Sequence, residues 1–232
     1  MAANRGEQRV NATLYQQIIG SVMYLVSGTR PDLAYTITHL SQFGSDPTKT
    51  HLSAAKRVLR YLKGTRDLKL TYELHTPLIL NGYCDASYGN CLETRRSFSG
   101  YIFKLGNSTV SWRSRKQRSV ALSTCEAEYM ALSFASKHYI WTCLGLYHLV
   151  GKKIEAILYT DNKAAIDLAH NPKLSEASKH IDISYHFTRE RIEDNTLLLQ
   201  HVSSAKNLAD ICTKGLPVPR HKHLCISIFD TK

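Results

Sequence analysis

The chain has 232 residues, enough for one domain of ordinary size with an appended subdomain. Thirty Lys and Arg against nineteen Asp and Glu leave a net charge of +11, which suits a polyanionic partner and speaks to association rather than to fold. The longest apolar run, Ile18 to Val26, is interrupted and too short to span a bilayer, and Met1 to Glu7 lacks the apolar centre of a signal peptide, so no membrane partner is expected and the expected setting is intracellular.

In chain order, residues 12–27 and 47–63 read as helices. The second begins near Thr48 or Thr50 and ends at Gly64, with Leu52, Ala55, Val58, Leu59 and Leu62 on one face and Lys56, Arg57, Arg60 and Lys63 mostly away from it. Residues 66–77 form a connector. A strand near 78–85 follows, then a hairpin of Ser97–Lys104 and Thr109–Arg113 turning at Gly106-Asn107, then a long helix over about 124–149. A strand over 155–160, a helix over 163–170, a helix near 180–193, a strand over 196–202 and a helix over about 206–213 complete the order. Such an order predicts an α/β fold: a mixed five-stranded sheet with flanking helices, plus a small N-terminal helical segment. The stretch from Pro217 onward, with two prolines and a basic run, reads as a loosely attached tail. Six cysteines without Cys-x-x-Cys spacing read as reduced, small apolar residues.

Four carboxylates stand out by context. Asp85 and Asp161 follow apolar, β-prone runs, Tyr83-Cys84-Asp85-Ala86-Ser87 and Leu158-Tyr159-Thr160-Asp161-Asn162. Glu128 and Asp210 lie in stretches of helical spacing, Glu126-Ala127-Glu128-Tyr129 and Asn207-Leu208-Ala209-Asp210-Ile211. A cluster of such acids would repel itself unless divalent cations neutralised it, and oxygen ligands without Cys or His favour Mg²⁺, with Mn²⁺ as the alternative. Between the two glutamates the choice falls on Glu128. Ser123-x-x-Glu126 fits a capping box, which gives Glu126 a structural task, whereas Glu128 projects about 200° further round the helix. Asn162 can cap the next helix, leaving Asp161 free at its strand end. Asp167, Asp182, Glu93 and Asp194 are assigned to structure or surface. His180 and Asp182, two residues apart on a helix, do not share a face and are read as cap and packing groups. His221-Lys222-His223-Leu224-Cys225 is weakly suggestive of a soft metal.

These motifs, in this order, resemble the ribonuclease H region of copia-type LTR retrotransposon Pol polyproteins. Tyr15 to Leu25, Thr29-Arg30-Pro31-Asp32-Leu33 and His51 to Thr65 are similar to the stretch that joins reverse transcriptase to ribonuclease H in that family. The resemblance implies residues 1–70 as a helical remnant of the reverse transcriptase thumb or connection, 71–216 as a ribonuclease H-like domain and 217–232 as a basic tail. It implies cleavage of the RNA strand of an RNA·DNA hybrid with two Mg²⁺ ions, bridged by Asp85 and flanked by Glu128, Asp161 and Asp210. The remainder of the polyprotein is a further expected partner, and the cytoplasm, a virus-like particle or the nucleus the expected place. The rival reading is a relic or domesticated protein that keeps the fold and binds nucleic acid or a partner without cutting. An integrase-type transposase would carry its acids as Asp, Asp, Glu, which is not the order here.

Arg113-Ser114-Arg115-Lys116-Gln117-Arg118-Ser119 contains no acid and reads as a loop feeding the Glu128 helix. Arg113, Arg115, Lys116, Gln117, Arg118 and Ser123 are the candidate nucleic-acid contacts, weighed against a merely solvated loop. One departure from other ribonucleases H is a short connection over His201 to Lys206, so no histidine is assigned the role of a mobile product-release group, and Lys206 is one candidate to replace it. A Tyr-x-Asp-Asp motif occurs nowhere in the chain. A primer-extension assay is therefore expected to yield no DNA synthesis; measured extension would overturn this reading.

Overall fold

The computed structural model describes residues 6–72, 76–170 and 179–229, with the side chains of 179–185 outside the described set, so His180 and Asp182 cannot be placed beyond their helix. Helix α1 (Ala12–Gly28) starts where the Asn11 side chain accepts the Leu14 N–H at 3.0 Å, and it buries Tyr15, Ile19 and Val22, one stripe at helical spacing. A short 3₁₀ turn, Pro31–Leu33, leads into α2 (Ala34–Ser41), an element that the sequence reading left out. Thr36, Ile37 and Thr38 are poor helix formers, and tertiary packing of Ala34, Ile37 and Leu40 supplies what propensity lacks. Helix α3 (Lys49–Gly64) is capped at Thr48, whose N–H donates to Nδ1 of His51 at 3.1 Å. Its basic side chains are exposed as expected; Leu59, placed on the inner face from sequence, is exposed too. These helices share an apolar cluster of Tyr15, Ile19, Val22, Leu33, Ile37, Leu40, Ala55 and Val58.

The sheet has five strands in the order β3-β2-β1-β4-β5. They are β1 (Ile79–Ser87), β2 (Phe98–Leu105), β3 (Ser108–Lys116), β4 (Glu155–Thr160) and β5 (Leu199–His201). The first three pair antiparallel, while β4 is parallel to β1 and β5 parallel to β4. The β2–β3 turn falls at Gly106-Asn107 with Gly106 at φ +57°, a conformation glycine adopts without a Cβ clash. Strand β5 is shorter than the expected 196–202. Asp194 accepts the Thr196 N–H at 2.9 Å and Asn195 takes φ +55°, so the turn extends to Thr196.

Helix α4 (Thr124–Val150) lies on one sheet face, with Leu132, Ala135 and Tyr139 packed among Leu80, Cys84, Phe103 and Leu158. It closes at Gly151, φ +73°, whose N–H returns to the Tyr147 carbonyl. Helices α5 (Lys163–His170) and α6 (Lys179–Glu193) contact α4. The other face carries Ile102, Tyr83 and Trp112 against Leu208, Ile211, Cys212 and Ala34. Here the expected helix over 206–213 is instead two 3₁₀ turns, Ser204–Lys206 and Leu208–Cys212. The expected loose tail is also corrected: Val218–Phe229 is helix α7, with Leu224, Cys225, Ile228 and Phe229 buried in that same cluster. Their spacing of one, three and one residues was a helical stripe that the prolines at 217 and 219 obscured, since proline is tolerated in a first turn. Among the described residues no helix is long and apolar enough to cross a membrane.

Gly100 permits the close seating of the 208–212 turn. A Cβ there would stand 2.6 Å from Cys212 Cβ, 2.8 Å from Thr213 Cγ2 and 3.1 Å from the Cys212 carbonyl carbon. Gly100→Ala is expected to destabilise the protein by about 1–3 kcal/mol through this overlap. That should lower the melting temperature by several degrees; an unchanged melting curve would mean the turn is not seated on β2.

Candidate active site

Strand β1 carries Asp85 near its C-terminal end, and β4 runs parallel beside it, so Asp85 and Asp161 emerge at the same sheet end. The first turn of α4 lies over that end. Its start is set by Ser123, whose Oγ accepts the Glu126 N–H at 3.1 Å, while Glu126 Oε2 accepts the Leu122 N–H at 2.7 Å. Glu126 is thereby occupied as a cap, and Glu128 turns inward, where its Oε2 accepts the Ala86 N–H at 3.1 Å. Asn162 caps α5 by accepting the Ala165 N–H at 2.9 Å, leaving Asp161 outside that task.

Asp85, Glu128 and Asp161 each offer a carboxylate oxygen, and these oxygens lie within 4.8 Å of one another. Asp85 and Glu128 are buried and Asp161 is half-buried. Burial, then Asp85 and Asp161 beside it, pushes the Glu128 carboxyl up to about 9. Burial also raises Asp85, to about 6, against the opposing pull of Lys214 and Thr213. The donor set fits a hard divalent cation. It is all carboxylate oxygen, and a doubly positive ion would offset the negative charge gathered at this sheet end.

Asp210 is placed differently from its three companions. It is buried on the 208–212 turn, with Oδ1 2.6 Å from Lys214 Nζ and Oδ2 3.0 Å from Arg220 Nη2. Lys214 also lies 3.5 Å from Asp85 Oδ2, so its ammonium links the fourth carboxylate to the cluster. Burial opposes that charge, yet Asp85 and Asp210 together raise the Lys214 pKa. Thr213 donates its hydroxyl to Asp85 Oδ2, and Asn207 Nδ2 donates to the Cys84 carbonyl at 3.0 Å, fixing the turn to β1. Thr213, Lys214, Asn207 and Arg220 were not chosen as site residues from sequence. Lys214 stands four residues after Asp210, a spacing that signals an ion pair on a helical stretch; Arg220 lies beyond a proline break and carried no local signal.

The basic run belongs mostly to a strand, not to a loop. Arg113, Arg115 and Lys116 lie on β3, and Gln117, Arg118 and Ser119 begin the connection to α4. Strand alternation sends Arg113 and Arg115 toward α4, where Arg115 lies over the Phe134 ring at 5.6 Å. Burial, with Arg118 and Arg113 nearby, lowers the Arg115 pKa, and burial with Arg113 and Arg115 lowers that of His138, which marks these cations as one cluster. Lys116 turns the other way, donating to Gln42 Oε1 at 2.7 Å. Gln117 corrects the expected contact set: it is buried, and its Nε2 donates to Ser99 Oγ and the Ala127 carbonyl, each at 2.9 Å, tying β2 to α4. Ser123 and Arg118 remain exposed.

A carboxyl raised by folding keeps a proton that the unfolded chain has already released. Stability of the protein in EDTA is therefore expected to fall as pH rises between about 4.5, the ordinary glutamate value, and about 9. Glu128→Gln should flatten that fall, and Mg²⁺ should oppose it in the wild type. Equal slopes in thermal melts of wild type and Glu128→Gln would reject the assignment.

No family model matches the chain. The Pol polyprotein of transposon TNT 1-94 from Nicotiana tabacum is 40% identical over 212 residues, covering 91% of this chain and 16% of the polyprotein. Secreted RxLR effector protein 161 from Plasmopara viticola is 52% identical over 127 residues, 55% of this chain and 89% of that protein. Among solved structures, ribonuclease H1 of Halobacterium salinarum is similar at 17% identity and TM-score 0.38, over 58% of this chain and 94% of the other. The chain thus spans about one-sixth of the polyprotein it matches over nearly its whole length. On these sequence relatives the chain is a homologue of retrovirus-related Pol polyproteins of copia-type plant transposons, matching one segment of them.

Proposed function

We propose that the chain is an endonuclease that cleaves the RNA strand of RNA·DNA hybrids, serving retrotransposon reverse transcription. The observation that carries this reading is the convergence of Asp85, Glu128 and Asp161 within 4.8 Å, at a sheet end flanked by cations. Mg²⁺ or Mn²⁺ would be held by these three residues, with Asp85 and Asp210 the residues for a second ion. When bound, such ions supply Lewis acidity and an activated water for phosphodiester hydrolysis.

The residues of the chain have separate tasks in this reading. Asp85 is oriented by the Thr213 hydroxyl, and Glu128 is aimed by the Ala86 N–H, so both carboxylates are held before substrate arrives. Lys214 offsets part of the negative charge and lowers repulsion toward an approaching phosphate. Arg113, Arg115 and Arg118 form the phosphate-binding edge, with Ser123 at its margin and Lys116 turned to the opposite face. Arg115 pairs across to Ser99, and Ser99 to Ala86, so the basic strand lies two strand spacings, about 10 Å, from the β1 end. A hybrid crossing that edge could place one backbone on the arginines and its RNA strand at the carboxylates, with the 2′-hydroxyls as the discriminating groups.

Two measurements test this. A labelled hybrid should be cut with Mg²⁺ and not with EDTA, and Asp85→Asn should reduce cutting to background; equal activity of wild type and variant would remove the proposal. Replacing Arg115 and Arg118 with Ala should weaken hybrid binding and flatten its logarithmic salt slope by roughly 0.7–0.9 for each phosphate left without its cation. An unchanged slope would exclude the arginine edge.

A further inference from the structure

Asp210 sits on a 3₁₀ turn of five residues, a short element with poor hydrogen-bond geometry of its own. The connection before it, Ser203 to Asn207, has exposed side chains at Ser203, Ser204, Ala205 and Lys206. Neither feature would hold a carboxylate still. Lys214 pairs with one oxygen of Asp210 from four residues along, and a side chain from beyond the turn holds the other oxygen together with the connection. Arg220, in the first turn of α7, donates from Nη2 to Asp210 Oδ2 at 3.0 Å, to the Ser204 carbonyl at 2.7 Å and to the Asn207 carbonyl at 3.4 Å, and from Nη1 to the Ala205 carbonyl.

We infer that Arg220 is the positioning residue for Asp210, and that helix α7 is a working part of the active site. The planar guanidinium fork matches this set of acceptors, and a lysine could satisfy only part of it. The anchor behind the fork is firm. Leu224, Cys225, Ile228 and Phe229 are buried, and His221, next to Arg220, has its Nε2 3.3 Å from the Asp32 carbonyl and its ring against Tyr61. Asp32 itself is buried in a pair with Arg30 at 2.6 Å and accepts the Tyr61 hydroxyl at 2.7 Å. Through this chain of contacts the N-terminal helices brace the element that orients the fourth carboxylate. The same fork closes the Ser204–Asn207 connection over the turn, so loss of Arg220 frees both the acid and its support.

This inference rests on the ribonuclease reading for its kinetic consequence, but not for its structural one. In the full chain, Arg220→Met should lower kcat for hybrid cleavage tenfold or more while KM for the hybrid stays within twofold, and Arg220→Lys should recover part of kcat. Amide hydrogen exchange in EDTA should quicken tenfold or more over residues 204–210 in Arg220→Met, with residues 224–229 unchanged. A kcat within twofold of wild type, or exchange that quickens throughout α7 together with a raised KM, would overturn the inference and leave Arg220 a merely structural residue. Should wild type cleave no hybrid, the ribonuclease reading fails, and the exchange measurement alone decides whether Arg220 holds the 204–210 segment.

Discussion

Three carboxylate oxygens within 4.8 Å of one another, two of the groups buried, impose the electrostatic constraint around which this molecule is arranged. Left ionised and alone, such groups would cost several kcal/mol in desolvation and repulsion. The structure answers in several ways at once. Glu128 retains its proton well above the usual carboxylate range and takes the Ala86 N–H; Asp85 takes the Thr213 hydroxyl and faces the Lys214 ammonium. Asp210 is held by two cations. Each arrangement is local, yet the partners come from β1, α4, the 208–212 turn, the segment after it and α7.

Bringing those elements together depends on close approach across both sheet faces. Gly82 leaves room on the α4 face, where a Cβ would come within 2.8 Å of Leu158 Cδ1 and 3.1 Å of both Phe103 and Tyr139 rings. Gly100 leaves room on the opposite face for the turn bearing Asp210. Register links the two positions: Gly100 pairs directly with Asp85 across the β1–β2 ladder. The N-terminal helices are fastened by the buried Arg30–Asp32 pair, with Tyr61 and Thr65 supplying further hydrogen bonds. A buried pair of this kind adds little net stability, but removing one partner would strand the other charge.

The cations are arranged by strand and helix periodicity. On β3, alternation separates Arg113 and Arg115 from Lys116, so a run that looks uniform in sequence serves two faces in space. The Lys56, Arg57, Arg60 and Lys63 face of α3 is exposed, as helical spacing requires. The excess of positive charge is therefore distributed over several surfaces, of which one borders the acidic cluster.

What the amino-acid order determined by itself is what depends on neighbours in the chain. The hairpin at Gly106-Asn107, the start of α4 at Ser123, the exclusion of Glu126 by its cap and the freedom of Asp161 beside Asn162 all follow from residues within a few positions of one another. Three of the four expected acids meet because each follows a strand or opens a helix whose place in a five-stranded sheet the element order implies. Only the tertiary structure decided the rest. Helix α2 forms because packing outweighs the weak propensity of Thr36-Ile37-Thr38, and α7 docks because its apolar stripe finds a cluster built in part from Ile102 and Ala34, far back in the chain. Gln117 leaves the surface because Ser99 and Ala127 are there to receive its amide. Asp210 is held by Lys214, whose spacing was legible, and by Arg220, which was not, since a guanidinium ten residues later, carried on a helix braced by the chain's other end, leaves no trace in any local pattern.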